Sequence, residues 1–288
     1  MNDLEQPSKL WESLGQKNLQ DLDNQGFDNF KRSLSHHYFD WRWSFRTAPC
    51  HPLSFLGFLW KATTFGEKLR AVAMHPNDVI VKLLWQYAQR HDKAGATQLP
   101  EPKLGNPYDI WLGGRLISQD LANSSLESNF LLSHSPKPER VFEIGAGYGR
   151  TAYVLLSLFP QAEYVIVDIE PARSVSEKYL TTLFPNRKIR CITPGELDTI
   201  PNGWATHGLT ISTLPEYTAP QVKFYLEQLD RIASNVFLKQ WSRWHNPKDN
   251  LDWEFGQFKL PGWRLVASQT CPYAVKFTEA VYTTQKGR

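Results

Sequence analysis

The run FEIGAGYGR at residues 142–150 restricts the fold more than any other part of the chain. A short apolar strand over 140–144 meets Gly145, Gly147 and Gly149, and a helical stretch over 150–158 begins at once. Glycine suits such a turn because the backbone bends sharply and must approach a ligand with no Cβ in between. The helix that follows points unpaired N–H groups at the same ligand. Strand, glycine turn and helix in direct succession are the opening unit of a parallel α/β sheet.

The residues beyond continue that pattern. Strands are expected over 164–168, 188–193, 208–213 and 236–239, helices over 172–183 and 220–232, and two closing strands over 263–270 and 275–284. β-branched runs alternating with helical periodicity predict an α/β fold, a doubly wound, Rossmann-like sheet closed by an antiparallel C-terminal strand pair. Residues 1–135 read differently, as a mainly helical N-terminal extension. One helix is expected over 79–90, capped by Asn77 or Asp78, and another over 119–132, capped by Ser118. Gly113 and Gly114 mark a turn at the end of the loop 101–115. The expected division is a helical segment, 1–135, that lids the site and helps bind an acceptor, and a cofactor-binding catalytic domain, 136–288.

Two acids bear on what the glycine turn holds. A dinucleotide fingerprint reads GxGxxG, but here the third glycine arrives one residue early and Arg150 stands in its place. Glu143 lies just before Gly145, where a carboxylate would repel a pyrophosphate and attract a cation. S-Adenosylmethionine carries an ammonium and a sulfonium, so the acid favours that cofactor over NAD. Asp168 ends the second strand, in the crevice where ribose hydroxyls are held in this architecture. The expected cofactor contacts are Glu143, Gly145, Ala146, Gly147, Gly149, Asp168 and Ile169, with Ser212 at the tip of the fourth strand. Glu196 and Leu197, in PGELD at 194–198, are placed to touch the adenine. S-Adenosylhomocysteine would be the product.

Methyl transfer is an in-line displacement in which alignment supplies most of what is needed. A hydroxyl acceptor also needs a general base. ISTLPEY at 211–217 offers Glu216, and FLKQWSRWHN at 237–246 offers Lys239, Trp241, Trp244 and His245. His245 is the expected base, with Glu216 as its partner or as the base itself; an ordinary surface histidine is the competing reading. His36, His37 and Tyr38 could reach the site from the N-terminal segment. The 11 Trp, 11 Tyr and 16 Phe, with several Trp in polar settings such as DWRW and KQWSRWHN, suit core packing or stacking walls for sugar rings. His and carboxylate residues show no metal-ligand spacing, so no metal is expected.

These motifs resemble the sugar O-methyltransferase family, bacterial class I adenosylmethionine-dependent enzymes. LGNP (104–107), GGRLISQDLANSSLE (113–127), FEIGAGYGRTAYVL (142–155), YVIVDIEPA (164–172), ISTLPEY (211–217) and FLKQW (237–241) carry the resemblance across most of 75–245. It implies the class I methyltransferase fold, adenosylmethionine, cofactor contacts at Glu143, Gly145, Gly147 and Asp168, and Arg115 and Ser118 near the cofactor or over the cleft. It also suggests a carbohydrate acceptor. One departure concerns the segment after the fourth strand, where the family pattern is Ser-Leu-x-Glu-Met. Here the chain reads Thr213, Leu214, Pro215, Glu216, Tyr217, so Glu216 keeps its place and Tyr217 replaces the Met.

The bulk properties set the remaining bounds. Net charge is +3 and long Lys/Arg runs are lacking, so nucleic acid is not the expected partner. Neither a leader-like apolar segment nor a membrane-length apolar stretch occurs, and the three cysteines are far apart, so a cytoplasmic enzyme with reduced thiols is expected. The expected partner is a small molecule, a carbohydrate or natural product, with self-association into a homo-oligomer left open. The competing readings are methylation of another small molecule or a peptide side chain, and a non-catalytic cofactor-binding module.

Overall fold

A computed structural model describes residues 6–33 and 76–284. The N-terminal part contains α1 (Lys9–Gln25), the short α2 (Phe30–Ser33) and α3 (Pro76–His91). A small hairpin follows, β1 (Ile110–Leu112) and β2 (Arg115–Ile117), with Gly113 and Gly114 both at positive φ in its turn. Sequence reading assigned 101–115 to a loop; three-residue strands are too short to show an alternation. Helix α4 (Gln119–His134) begins where expected, with the Ser118 hydroxyl accepting from the Leu121 N–H.

The rest of the chain builds one mixed sheet. Its strands are β3 (Arg140–Ile144), β4 (Glu163–Val167), β5 (Ile189–Ile192), β6 (Ala205–Ile211), β7 (Ala233–Trp241), β10 (Trp263–Thr270) and β11 (Phe277–Thr284). A second hairpin, β8 (Arg243–Asn246) with β9 (Leu251–Glu254), interrupts the order. The connecting helices are α5 (Arg150–Leu158), α6 (Ala172–Leu183) and α7 (Ala219–Ile232). Across the sheet the order is β5-β4-β3-β6-β7-β11-β10. The first five strands of that order are parallel, and β11 and β10 close the edge antiparallel to their neighbours, as the sequence pattern predicts. The chain winds outward from β3 to β5, then returns to place β6 on the other side of β3. That reversal opens a crevice beyond the carboxyl ends of β3 and β6, where ligands bind in doubly wound sheets.

Strand alternation distributes the core over both faces. Phe142, Ile144, Val165 and Val167 pack with α7 residues Val222, Tyr225 and Leu229. Val141, Tyr164, Ile166 and Phe237 join the other cluster, with Leu84 and Trp85 of α3, Leu126 of α4 and Val154 of α5. Helices α3 and α4 therefore share a core with one sheet face. Among the described residues no helix is long and apolar enough to cross a membrane.

Candidate functional site

The glycine turn lies at the reversal point and its geometry demands glycine. Gly145, Gly147 and Gly149 have φ of 70°, 61° and 89°, a region L side chains avoid. A Cβ on Gly145 would stand 2.2 Å from Thr213 Cγ2, so the ends of β3 and β6 touch through that missing methyl group. A Cβ on Gly149 would stand 2.9 Å from Leu180 of α6. Gly149 N–H donates to the Ala146 carbonyl at 3.0 Å and closes the turn.

Asp168 follows β4 and is tied to the same turn. One carboxylate oxygen accepts the Gly147 N–H at 3.0 Å and the other accepts the Ile169 N–H at 2.8 Å. Those two bonds fix the carboxylate plane and leave each oxygen a further lone pair. Burial pushes its pKa up to about 7 against the lowering effect of both N–H donors, and Glu170 adds to the rise. Glu143 is buried in β3 and accepts the Tyr164 hydroxyl at 2.6 Å. Burial raises it to about 7 as well, with Asp168 contributing repulsion.

Glu216 is the third buried acid. It ends the turn Leu214–Glu216 after β6, and its carboxylate accepts the Trp11 indole N–H at 2.8 Å. Its pKa is pushed up to about 8, first by burial and further by the charge of Asp168, with Trp11 opposing. Gln240 of β7 shapes the approach to this turn by accepting the Thr213 and Leu214 N–H groups and donating back to Thr210.

Helix α1 spans these loops. Ser8 caps it and donates to the Glu216 carbonyl, Trp11 reaches the Glu216 carboxylate, and Gly15 lies against the Glu170 carbonyl, where a Cβ would be 3.5 Å away. Past its end, Phe30 packs on Tyr148 and Tyr179 at ring distances of 5.2 and 5.6 Å. Lys31 bonds the buried Glu101, which also accepts the Ser118 hydroxyl. Thus α1 runs from the β6 loop past the β4 loop, and the chain beyond it reaches Tyr148 of the glycine turn and Tyr179 of α6.

Several expected contacts are engaged differently. Glu196 is exposed, and its carboxylate caps its own turn at Thr193; Leu197 is packed into the apolar core with Val167 and Ile192. Arg115 donates to the Leu99 carbonyl and stands over the Trp85 ring at 5.3 Å. Ser212 lies at the β6 tip with φ of 57°, its N–H bonded to the Lys239 carbonyl. Lys239 is buried, donates to Glu127 at 2.7 Å and to Tyr273 at 2.9 Å, and so serves an interior network. Arg150 grips the same Glu127 with two bonds of 2.6 and 3.0 Å. Burial opposes ionisation of Glu127, but Arg150 and then Lys239 outweigh it and hold the carboxyl below its usual range. Nothing in the sequence pairs these three residues.

His245 sits on the outer face of the β8–β9 hairpin. Alternation turns Trp244 and Asn246 inward and His245 outward, where it is exposed and bonds Asp252, its cross-strand neighbour, at 3.0 Å. This is the surface-histidine alternative: β8 itself packs beside the Glu216 turn, but the His245 side chain is directed to solvent. Trp241 packs between Trp244 and Phe277 in tilted pairs at ring distances of 4.8 and 4.4 Å, in the wall beside the Glu216 turn. His36, His37, Tyr38 and Cys50 lie outside the described residues. Among the described residues no three His, Cys, Asp or Glu side chains are grouped to hold a metal ion.

Neither a family model nor a curated protein matches the chain. Similar solved structures include an adenosylmethionine-dependent methyltransferase from Aquifex aeolicus, at 17% identity and TM-score 0.44, over 55% of this chain and 88% of that one. Another is the Burkholderia thailandensis 1,6-didemethyltoxoflavin-N1-methyltransferase with bound 1,6-didemethyltoxoflavin and S-adenosylhomocysteine, at 16% and 0.47, over 56% and 77%. A third is the mitomycin 7-O-methyltransferase MmcR, at 15% and 0.45, over 82% and 73%.

Proposed function

We propose that the chain is an S-adenosylmethionine-dependent methyltransferase that methylates a hydroxyl group of a sugar or glycosylated natural product. The observation that carries this reading is the set of three buried carboxyls, Glu143, Asp168 and Glu216, gathered at the strand-reversal crevice around a turn that only glycines can form. Buried acids with raised pKa values ionise only at a cost, which a cationic ligand offsets and an anionic pyrophosphate would increase. The donor set also fits a nucleoside, because Asp168 is oriented by Gly147 and Ile169 and retains lone pairs for two ribose hydroxyls.

When bound, adenosylmethionine supplies an electrophilic methyl group on a sulfonium. Asp168 holds the ribose, and Glu143 balances positive charge from beneath the turn. Glu216 takes the acceptor's proton, in place of His245. Its raised pKa makes its carboxylate a stronger base than an exposed acid. The Trp241–Trp244 wall suits the apolar face of a sugar ring. Helix α1 excludes water from the crevice.

The test is transfer of an isotopically labelled methyl group from adenosylmethionine to a panel of glycosides, with amines and peptides alongside. Ether products from the glycosides support the reading. Label found only on nitrogen contradicts the acceptor assignment, and label transferred nowhere contradicts the enzyme.

A further inference from the structure

Trp11, Gly15, Asn18 and Leu22 follow one another at helical spacing along the face of α1 turned toward the site. Trp11 bonds Glu216, Gly15 lies against the Glu170 carbonyl, and Leu22 packs into the cluster that contains Tyr148 and Tyr179. Asn18 lies on the same helix face, one turn beyond Gly15. Its side chain is 0% exposed, and neither Oδ1 nor Nδ2 has a hydrogen-bond partner among the described residues.

Two other buried amides, Asn129 and Gln240, behave differently. Asn129 donates to Asp92 and the Ser125 carbonyl and accepts from Lys93 and Ala94. Gln240 is met at both ends by Thr213, Leu214 and Thr210. Amides that serve structure are satisfied within the protein, because an unmet buried polar group costs at least as much as a lost hydrogen bond. Among the described residues Asn18 has no such structural partner, and it shares its helix face with Trp11 and Gly15, which meet the loops beyond β6 and β4.

We infer that Asn18 is a ligand-binding residue whose amide hydrogen-bonds the ribose hydroxyls of the adenosyl cofactor. The inference rests on the proposed cofactor and adds to it a contact from the N-terminal helix. Its chemistry complements Asp168: a carboxylate only accepts, whereas a hydroxyl is both donor and acceptor. Asp168 takes the hydroxyl protons, and Asn18 Nδ2 supplies a donor for the hydroxyl oxygens. The bound nucleoside then fastens α1 over the crevice.

The experiment compares the wild-type chain with Asn18→Leu, which keeps the branched shape without the polar atoms, and Asn18→Ala, by calorimetric titration with adenosylhomocysteine and by thermal unfolding without ligand. Removing an unmet amide raises the ligand-free midpoint of Asn18→Leu by about 2 °C or more. Both variants weaken adenosylhomocysteine about fivefold or more. If wild type binds and both variants bind equally well, Asn18 is only a strained core position, and the inference falls while the cofactor reading stands. A ligand-free midpoint lowered in both Asn18→Leu and Asn18→Ala also overturns it, because the amide is then satisfied within the fold. A wild-type chain that takes up no adenosylhomocysteine overturns both.

Discussion

The Trp11 indole donates to the Glu216 carboxylate over 2.8 Å, and so ties the first helix to the loop beyond β6 across 205 positions of sequence. Trp11 favours the ionised acid, so its loss matters most where Glu216 is charged. Trp11→Phe is expected to cost more stability at pH 9 than at pH 6, with about 1.5–3 kcal/mol at the alkaline end. Denaturant unfolding at the two pH values measures the difference; equal losses would show that the contact is steric.

The raised acids give the ligand-free protein a definite pH dependence. Glu143 and Asp168 titrate at about 7 and Glu216 at about 8 in the fold, against about 4 when unfolded. Between those limits the native chain holds more protons than the unfolded chain, so its stability falls as pH rises through the window from about 4 to 8. Glu127 has the opposite sign, contributing stability that is lost only as pH falls through its depressed value. The thermal midpoint is expected to be highest near pH ~5 and to decline toward pH ~8. Glu216→Gln should flatten that decline, and an unchanged slope would remove Glu216 from the account.

A cationic ligand beside protonated acids should expel protons. Adenosylmethionine binding near pH ~7 is expected to release more protons than binding of the uncharged thioether adenosylhomocysteine. Titration in buffers of different ionisation enthalpy reads this directly. Equal proton release for the two ligands would place the acids away from the sulfonium.

Much of this site could be read from sequence, for identifiable reasons. The glycine turn and Asp168 are local signals, each set by the residues beside it, and α6 and β10 match their expected bounds because their periodicities are long and regular. The β8–β9 hairpin was not anticipated, since its four-residue strands carry more polar than apolar side chains. The inward face of α1 is interrupted by Gly15 and Asn18, both buried, so its apolar stripe is weak. Glu127 meets Lys239 across 112 positions, a distance no local pattern spans, so the sequence alone offers Lys239 as an acceptor-side candidate.

Glu127 anchors two buried cations, and its removal leaves both uncompensated. Glu127→Ala is expected to destabilise by roughly 3–5 kcal/mol. Lys239→Met should cost clearly less, because Glu127 keeps its bidentate Arg150 partner. Unfolding midpoints rank the two variants, and the reverse order would contradict the network.

Gly145 and Thr213 should behave as a coupled pair. Gly145→Ala is expected to lose about 1–3 kcal/mol from overpacking, with added backbone strain. A second change, Thr213→Ala, removes the two nearest atoms and should recover part of that loss. Strictly additive effects in the double variant would show that the strand ends do not meet there.

The most direct test of the acidic, strand-reversal crevice is calorimetric titration of the wild-type chain and Asp168→Ala with adenosylmethionine, adenosylhomocysteine and NAD. The account predicts that wild type binds the first two and not NAD, and that Asp168→Ala binds both about tenfold or more weakly, since a charged hydrogen-bond partner is lost. Binding of NAD alone, or an Asp168→Ala affinity equal to that of wild type, would contradict it.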